Sequence, residues 1–210
     1  EGAIAIWLST LIRKRPWIVD VREDYRLLLE DRPWAKGIQK VFAICLTKIA
    51  LFASARANMT IVVDDWVRPF DAKRRLVVTN APDIRFLPDI QVADSIPRAI
   101  YVGDVRGSRG LWSMLRTLEL APAWYLDVIG TISPQDISRV LEWKERSSAA
   151  PRVSFHGALN PAESWKFAKG AWVGRSILEN NPAFGTAWPN KIGRYPACGS
   201  TAITTDLRQP

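Results

Sequence analysis

From Arg98 onward the chain alternates short apolar runs with helix starts, and this alternation limits the fold more than any other feature of the sequence. Ala99-Ile100-Tyr101-Val102, Tyr125-Leu126-Asp127-Val128-Ile129, Val153-Ser154-Phe155, the run from Trp172 to Leu178 and Thr201-Ala202-Ile203-Thr204-Thr205 each read as a strand. Helix signals lie between them. Leu111 to Leu120 has a helical pattern, while Ser133-Pro134-Gln135-Asp136 and Asn160-Pro161-Ala162-Glu163 each place a capping side chain before a Pro and an acid in the first turn. Pro189-Asn190-Lys191 opens a further short helix that closes at Gly199. Strands joined through single helices and short loops make a parallel sheet, and right-handed crossovers make it a doubly wound, Rossmann-like one. Ligands of such sheets bind outside the carboxyl ends of the strands. Here those ends carry Gly103, Gly130, Gly157 and the loop from Phe184 to Pro189.

The first half has the same grammar with fewer units. Residues 3–12 suggest a helix, and Trp17-Ile18-Val19-Asp20-Val21 a short buried strand. A longer helix is expected over about 34–57, where Ile38, Val41, Cys45, Ile49 and Phe52 recur at spacings of three and four and Lys36, Lys40 and Lys48 fall off that stripe. This is the pattern of an amphipathic helix, whose stripe ordinarily faces a core. Thr60-Ile61-Val62-Val63 and Leu76-Val77-Val78-Thr79 are further strands, and Asp64-Asp65 offers a cap for a short helical piece. Between Asp83 and Pro97 the pattern fades among Pro88, Asp89, Asp94, Ser95 and Pro97, which marks a linker. The expected organisation is a domain over 1–82, a linker over 83–97 and a second domain over 98–210.

Composition excludes some classes. With 210 residues, 48% of them hydrophobic and 24% charged, the chain can build a core and is not generally disordered. Its ten Trp sit mostly within apolar patterns, where they read as packing rather than as a stacking platform. The net charge of +8 suits nucleic acid, anionic lipid or a phosphorylated small molecule. The triplets Arg13-Lys14-Arg15 and Lys73-Arg74-Arg75 follow predicted helices, where cations complement the helix dipole or face lipid. No basic recognition helix or aromatic ladder accompanies them, so nucleic acid is not the expected partner. The two cysteines, Cys45 and Cys198, imply no disulfide framework and fit a reducing compartment, and one His with two distant Cys makes no zinc constellation. No stretch is expected to cross a bilayer, since Gly2 to Ile12 is short and lacks the order of a signal peptide. The ends, at Glu1 and just beyond a strand at Pro210, read as cuts through a larger protein.

Three segments carry chemistry. Gly103-Asp104-Val105-Arg106-Gly107-Ser108-Arg109-Gly110 follows a strand and offers backbone approach with two arginines, either as a plain turn or as a phosphate site. It is not the dinucleotide fingerprint, because its glycine spacing differs. Val153-Ser154-Phe155-His156-Gly157 places the only His at a strand end, which is compatible with a structural role or a hydrogen bond to a ligand. Ala183-Phe184-Gly185-Thr186-Ala187-Trp188-Pro189-Asn190-Lys191 leads into the short helix, whose free N–H groups suit an anion.

Together these segments resemble the retaining glycosyltransferases of family 4, which have the two-domain GT-B fold. The resemblance covers residues 98–206 well and 1–82 more weakly. It implies an α/β fold of two Rossmann-like parallel-sheet domains, the first incomplete. It implies transfer of a sugar, with retention, from a nucleotide diphosphate sugar to an acceptor hydroxyl, the acceptor being a surface glycan or lipid-linked sugar. It assigns the donor diphosphate to Gly103, Arg106, Arg109 and Lys191, and the base and ribose to Gly130, His156, Gly157 and Arg194. The loop Thr186, Ala187, Trp188, Pro189 and Asn190 would cradle the donor sugar. Thr186 and Arg194 stand where the family has two glutamates, and Asp104 stands where it often has an arginine.

In the first half, Asp20-Val21-Arg22-Glu23-Asp24 is similar to the family's strand ending near acceptor and donor sugar. Arg22 would stabilise developing negative charge and Glu23 would orient a hydroxyl, or the pair makes a surface salt bridge. No metal and no cofactor beyond the donor substrate is implied. Such an enzyme would be cytoplasmic, with possible peripheral contact to the plasma membrane. A non-catalytic nucleotide-sugar-binding relative or partner subunit is the competing reading, with sugar epimerases and nucleic-acid-binding domains behind it.

Overall fold

The computed structural model describes residues 2–83, 85, 87, 89–90, 92–181, 184 and 189–206. They form two units, one containing residues 2–80 with 180, 181 and 184, the other containing the described residues of 81–179 and 189–206. The segment expected as a linker therefore counts with the second unit. Asp94 explains part of this: its N–H donates to Gly170 O at 2.9 Å and its carboxylate takes Arg98 Nε at 2.7 Å. A break in hydrophobic pattern marks loss of regular structure, not loss of attachment.

In the first unit, α1 (Gly2–Arg13), β1 (Ile18–Val21), α2 (Tyr25–Leu28), α3 (Gly37–Ala55), β2 (Met59–Val62) and β3 (Arg75–Val77) follow one another. The three strands are parallel in the order β1-β2-β3. Asp24 caps α2 by accepting from Arg26 N and Leu27 N. The helical piece expected after Asp64 is only a turn, in which Val67 N–H donates to Asp64 O at 3.1 Å. The core is small: Val21, Val62 and Val67 are buried together, with Val19, Val63 and Val77 against them. A cavity of about 570 Å³ lies among α1, β1, α2 and α3.

The apolar stripe of α3 does not face that core. Ile38, Val41, Phe42, Ile49 and Phe52 are all exposed, and so is Cys45. The buried positions of the helix are Ala53, Ser54 and Ala55. The small residues of its C-terminal turn are the buried ones, with Ser54 O accepting from Thr60 Oγ1 of β2 at 2.8 Å, and the larger residues stay outside. By length and composition this 19-residue helix could cross a membrane, which corrects the expectation that no stretch could.

The second unit holds β4 (Arg98–Val102), α4 (Leu111–Leu120), β5 (Tyr125–Ile129), α5 (Pro134–Arg146), β6 (Val153–Gly157), α6 (Pro161–Lys166), β7 (Val173–Ser176), α7 (Lys191–Ala197) and β8 (Thr201–Thr204). Its five strands are parallel in the order β6-β5-β4-β7-β8. Asn160 caps α6 by accepting from Glu163 N at 2.9 Å. Ser133 precedes Pro134 as expected but makes no side-chain cap; its carbonyl accepts from Asp136 N at 2.8 Å instead.

The sheet is covered on both faces. Leu111, Met114, Leu115 and Leu118 of α4 lie at spacings of three and four and are fully or almost fully buried against Tyr101, Leu126 and Val128. On the other side Ile100 and Ile129 meet Trp165, Ala168, Tyr195 and Cys198. Arg98 ties the base of the sheet: Nη1 donates to Asp127 Oδ2 at 2.9 Å and to Phe167 O at 2.7 Å.

Candidate nucleotide-sugar site

The strand order reverses at β4, whose neighbours β5 and β7 lead away in opposite directions. In an open parallel sheet that reversal opens a crevice at the carboxyl ends, because the two connections leave on opposite faces. The crevice here lies beyond Val102 and Ser176.

Backbone bonds fix its floor. Gly103 N–H donates to Ile129 O at 2.9 Å, and Gly130 N–H donates to Gly157 O at 2.7 Å. The ends of β4, β5 and β6 are thus pinned edge to edge. Tyr195 of α7 joins the two sides: its hydroxyl accepts from Val102 N at 3.1 Å and donates to Arg175 O at 3.1 Å. That bridge sets α7 across β4 and β7.

Lys191 projects from the first position of α7 into this floor. It is 8% exposed, and its ammonium lies 3.9 Å from the Tyr101 ring centroid. Nζ has no hydrogen-bond partner among the described residues. Burial, with Arg109 as a second cation nearby, pushes its pKa down to about 7. Gly103 makes room for it: a Cβ at that position, where φ is +145°, would stand 2.9 Å from Nζ. Burial pushes Tyr101 up to about 12, so it stays a phenol, and its hydroxyl donates to Asp104 O at 2.7 Å.

The loop after Gly103 is held as firmly. Gly107 N–H donates to Asp136 Oδ2 at 3.1 Å, and Glu179 N–H donates to Ser108 O at 2.9 Å. Gly110 has φ +83°, and a Cβ there would collide with Ile177 O, so only glycine lets α4 start this close to the chain after β7. Arg106 pairs with Asp104, and Arg109 Nε lies 3.8 Å from the same carboxylate. Two arginines and a lysine thus converge beside the exposed Asp104 carboxylate. Such an arrangement suits a ligand with more than one negative charge.

The remaining predicted residues are placed differently. His156 Nε2 is 2.7 Å from Asp127 Oδ1, and its ring lies 4.3 Å from Phe167, within the network around Arg98. Gly157 takes φ +71° with open space on its Cβ side. Arg194 is half-buried with its guanidinium 5.3 Å from the Trp165 ring. Pro189 is half-buried and Asn190 exposed, immediately before α7. Thr186, Ala187 and Trp188 lie outside the described residues. The α7 helix has seven residues, and Ile192 N–H already donates to Pro189 O at 3.0 Å, so Lys191 matters more here than the helix N-terminus.

Arg22 and Glu23 belong to the first unit. Arg22 Nε donates to Asp20 Oδ2 at 2.7 Å in an exposed ion pair, and Glu23 is exposed. Sequence reasoning missed Tyr101 and Tyr195. The first looks like any apolar strand residue, and the second is hidden in a helix interrupted by Pro196. Among the described residues no group of three His, Cys, Asp or Glu could hold a metal.

No family model matches the chain, and no curated protein does. Its fold matches solved structures. Sucrose-phosphate synthase from Thermosynechococcus elongatus superposes with a TM-score of 0.69 at 15% identity, over 96% of this chain and 53% of that one. Anabaena HepE in complex with UDP-glucose gives 0.68 at 14%, over 98% and 57%. A glycosyltransferase from Rickettsia africae gives 0.61 at 14%, over 98% and 61%. The chain therefore has an α/β fold of the GT-B type with two parallel sheets, and it spans between half and two thirds of those structures' lengths.

Proposed function

We propose that this chain belongs to a glycosyltransferase of the family 4 type and that its second unit binds a nucleotide diphosphate sugar. The observation that carries this reading is Lys191, a buried ammonium without a hydrogen-bond partner among the described residues, set against Arg109 and Gly103 at the strand reversal. An unpaired buried cation is costly unless a ligand completes it. A diphosphate supplies the needed charge, and the three cations would stabilise it as it leaves the sugar. Solved structures of this fold include HepE with UDP-glucose, which supports a nucleotide sugar as the ligand. The reaction would move a hexose to the hydroxyl of a glycan or lipid-linked acceptor, with retention, and with no cofactor beyond the donor. Arg22 and Glu23 would act on the acceptor side.

The second reading is a nucleotide-sugar-binding relative without turnover. Asp104 favours it, because this carboxylate already pairs with Arg106 and lies near Arg109. A thermal-shift panel with UDP, GDP, ADP and CMP tests the site. A selective rise in Tm with one nucleoside diphosphate, lost in Arg109→Ala, is expected. No rise with any of them, from a cooperatively melting sample, would overturn the binding reading. Release of nucleoside diphosphate from the matching sugar donor then separates enzyme from binder.

A further inference from the structure

We infer that Asp104 tunes the crevice to the intact nucleotide diphosphate sugar and against the nucleoside diphosphate left after transfer, and so speeds release of the spent nucleotide. This rests on the donor-site reading of the second unit. Three observations carry it. Arg106 Nη2 and Arg109 Nε both approach one carboxylate oxygen, Asp104 Oδ2, the first in a direct ion pair and the second at 3.8 Å. These guanidiniums share a charge cluster with Lys191. Arg109 acts on the Lys191 ammonium, and both arginines act on the hydroxyl of Tyr101, whose ring centroid lies 3.9 Å from that ammonium. The carboxylate also has a rigid mount. Asp104 O accepts from the Tyr101 hydroxyl at 2.7 Å. On either side, Gly103 N–H donates to Ile129 O at 2.9 Å and Val105 N–H to Thr131 O at 3.0 Å.

Charge decides what a carboxylate on this mount does. With Lys191 protonated, Arg106, Arg109, Lys191 and Asp104 together carry two net positive charges. A nucleotide diphosphate sugar has one ionised oxygen on each of its two phosphates, so the cluster matches it. Transfer of the sugar breaks the bond between the anomeric carbon and the distal phosphate's oxygen, which keeps the electron pair. The proton of the acceptor hydroxyl passes to solvent. The nucleotide left behind ends in a phosphate whose second ionisation falls at about pH 6, so at pH 8 it carries one more negative charge than the donor did. An uncharged residue at 104 would leave the cluster matched to that third charge. Aspartate instead sets a fixed negative charge beside the same two arginines, in a crevice where charge is screened less than in bulk water. Repulsion therefore weakens the product more than the donor. The Asp104–Arg106 pair then serves turnover rather than marking its loss.

Calorimetric titration of the 210-residue chain at pH 8 tests this, with UDP against UDP-glucose, GDP against GDP-mannose and ADP against ADP-glucose. In the unmodified chain, the nucleoside diphosphate of the pair that binds should be no more than about threefold tighter than its sugar. Asp104→Asn keeps the shape, removes the charge and retains the backbone oxygen that takes Tyr101. It should tighten the nucleoside diphosphate about tenfold and its sugar about threefold or less. Asp104→Ala should move the ratio in the same direction. Glu145→Gln is the control. It removes one charge at an exposed position of α5, about 13 Å further along the helix than Asp136, which holds Gly107 N–H, and should change neither affinity.

Circular dichroism melts identify the folded variants. Equal tightening of both ligands, or none, in a folded variant would overturn the inference and leave the donor site in place. So would an unmodified chain that prefers the nucleoside diphosphate by about thirtyfold or more. Loss of binding in folded Asp104→Asn would also overturn it, and would make the carboxylate a support for Arg106. No binding by any pair to the unmodified chain or its variants would remove the donor site, and this inference with it.

Discussion

At the scale of single residues, Lys191 is a group whose stability and function pull apart. Its folded pKa of about 7 lies below the ordinary 10.5, so between those values the unfolded chain holds a proton that the folded chain lacks. The contribution of this lysine to stability therefore rises with pH from about 7 toward 10.5. Lys191→Met, which keeps the volume and removes the buried amine, should raise Tm of the empty chain by a few degrees while abolishing nucleotide binding. Calorimetry gives a second check. A bound diphosphate restores the charge, so binding above pH 7 should take up a proton, seen as a heat that varies with the buffer's ionisation enthalpy. Equal heats in all buffers would place the ligand away from Lys191. The sequence could nominate this lysine by its place after Pro189-Asn190. It could not reveal the depressed pKa, which comes from burial beneath the strand ends and from Arg109 brought in by the loop after β4.

At the scale of elements, two glycines at opposite ends of one loop should fail differently. Gly103→Ala puts a methyl against the ammonium end of the Lys191 side chain, and Gly110→Ala puts one into the carbonyl of Ile177. We expect the first to cost about 1–2 kcal/mol of stability and most of the nucleotide affinity. The second, where backbone must move, should cost about 3 kcal/mol or more and disturb the start of α4. Denaturant melts with a nucleotide titration separate the two. The strand and helix sequence from β4 to β8 was legible because each unit carries its own punctuation, as Pro134, Asn160 with Pro161, and Gly199 show. What periodicity left out was direction. It located the stripe of α3 without saying that Ala53 to Ala55, rather than Ile38 to Phe52, would be buried. His156 shows the same limit, since a strand-end position does not tell whether Asp127 already holds the ring.

For the whole molecule, the two units differ in how much apolar surface they bury. The core around Leu111, Met114 and Leu115 in the second unit far exceeds the three valines of the first, beneath whose helices a cavity of about 570 Å³ remains. Local stability follows local burial. Hydrogen exchange should therefore be slowest in β4, β5 and α4, and at least about tenfold faster in α1 and β1. Uniform exchange would show one cooperative body. One further consequence follows from the outward stripe of α3. The chain has two cysteines, of which Cys198 is buried and Cys45 stands exposed between Phe42 and Ile49. A thiol-directed dye will thus label one position without any mutation, and its emission colour will report whether that surface is facing water or oil.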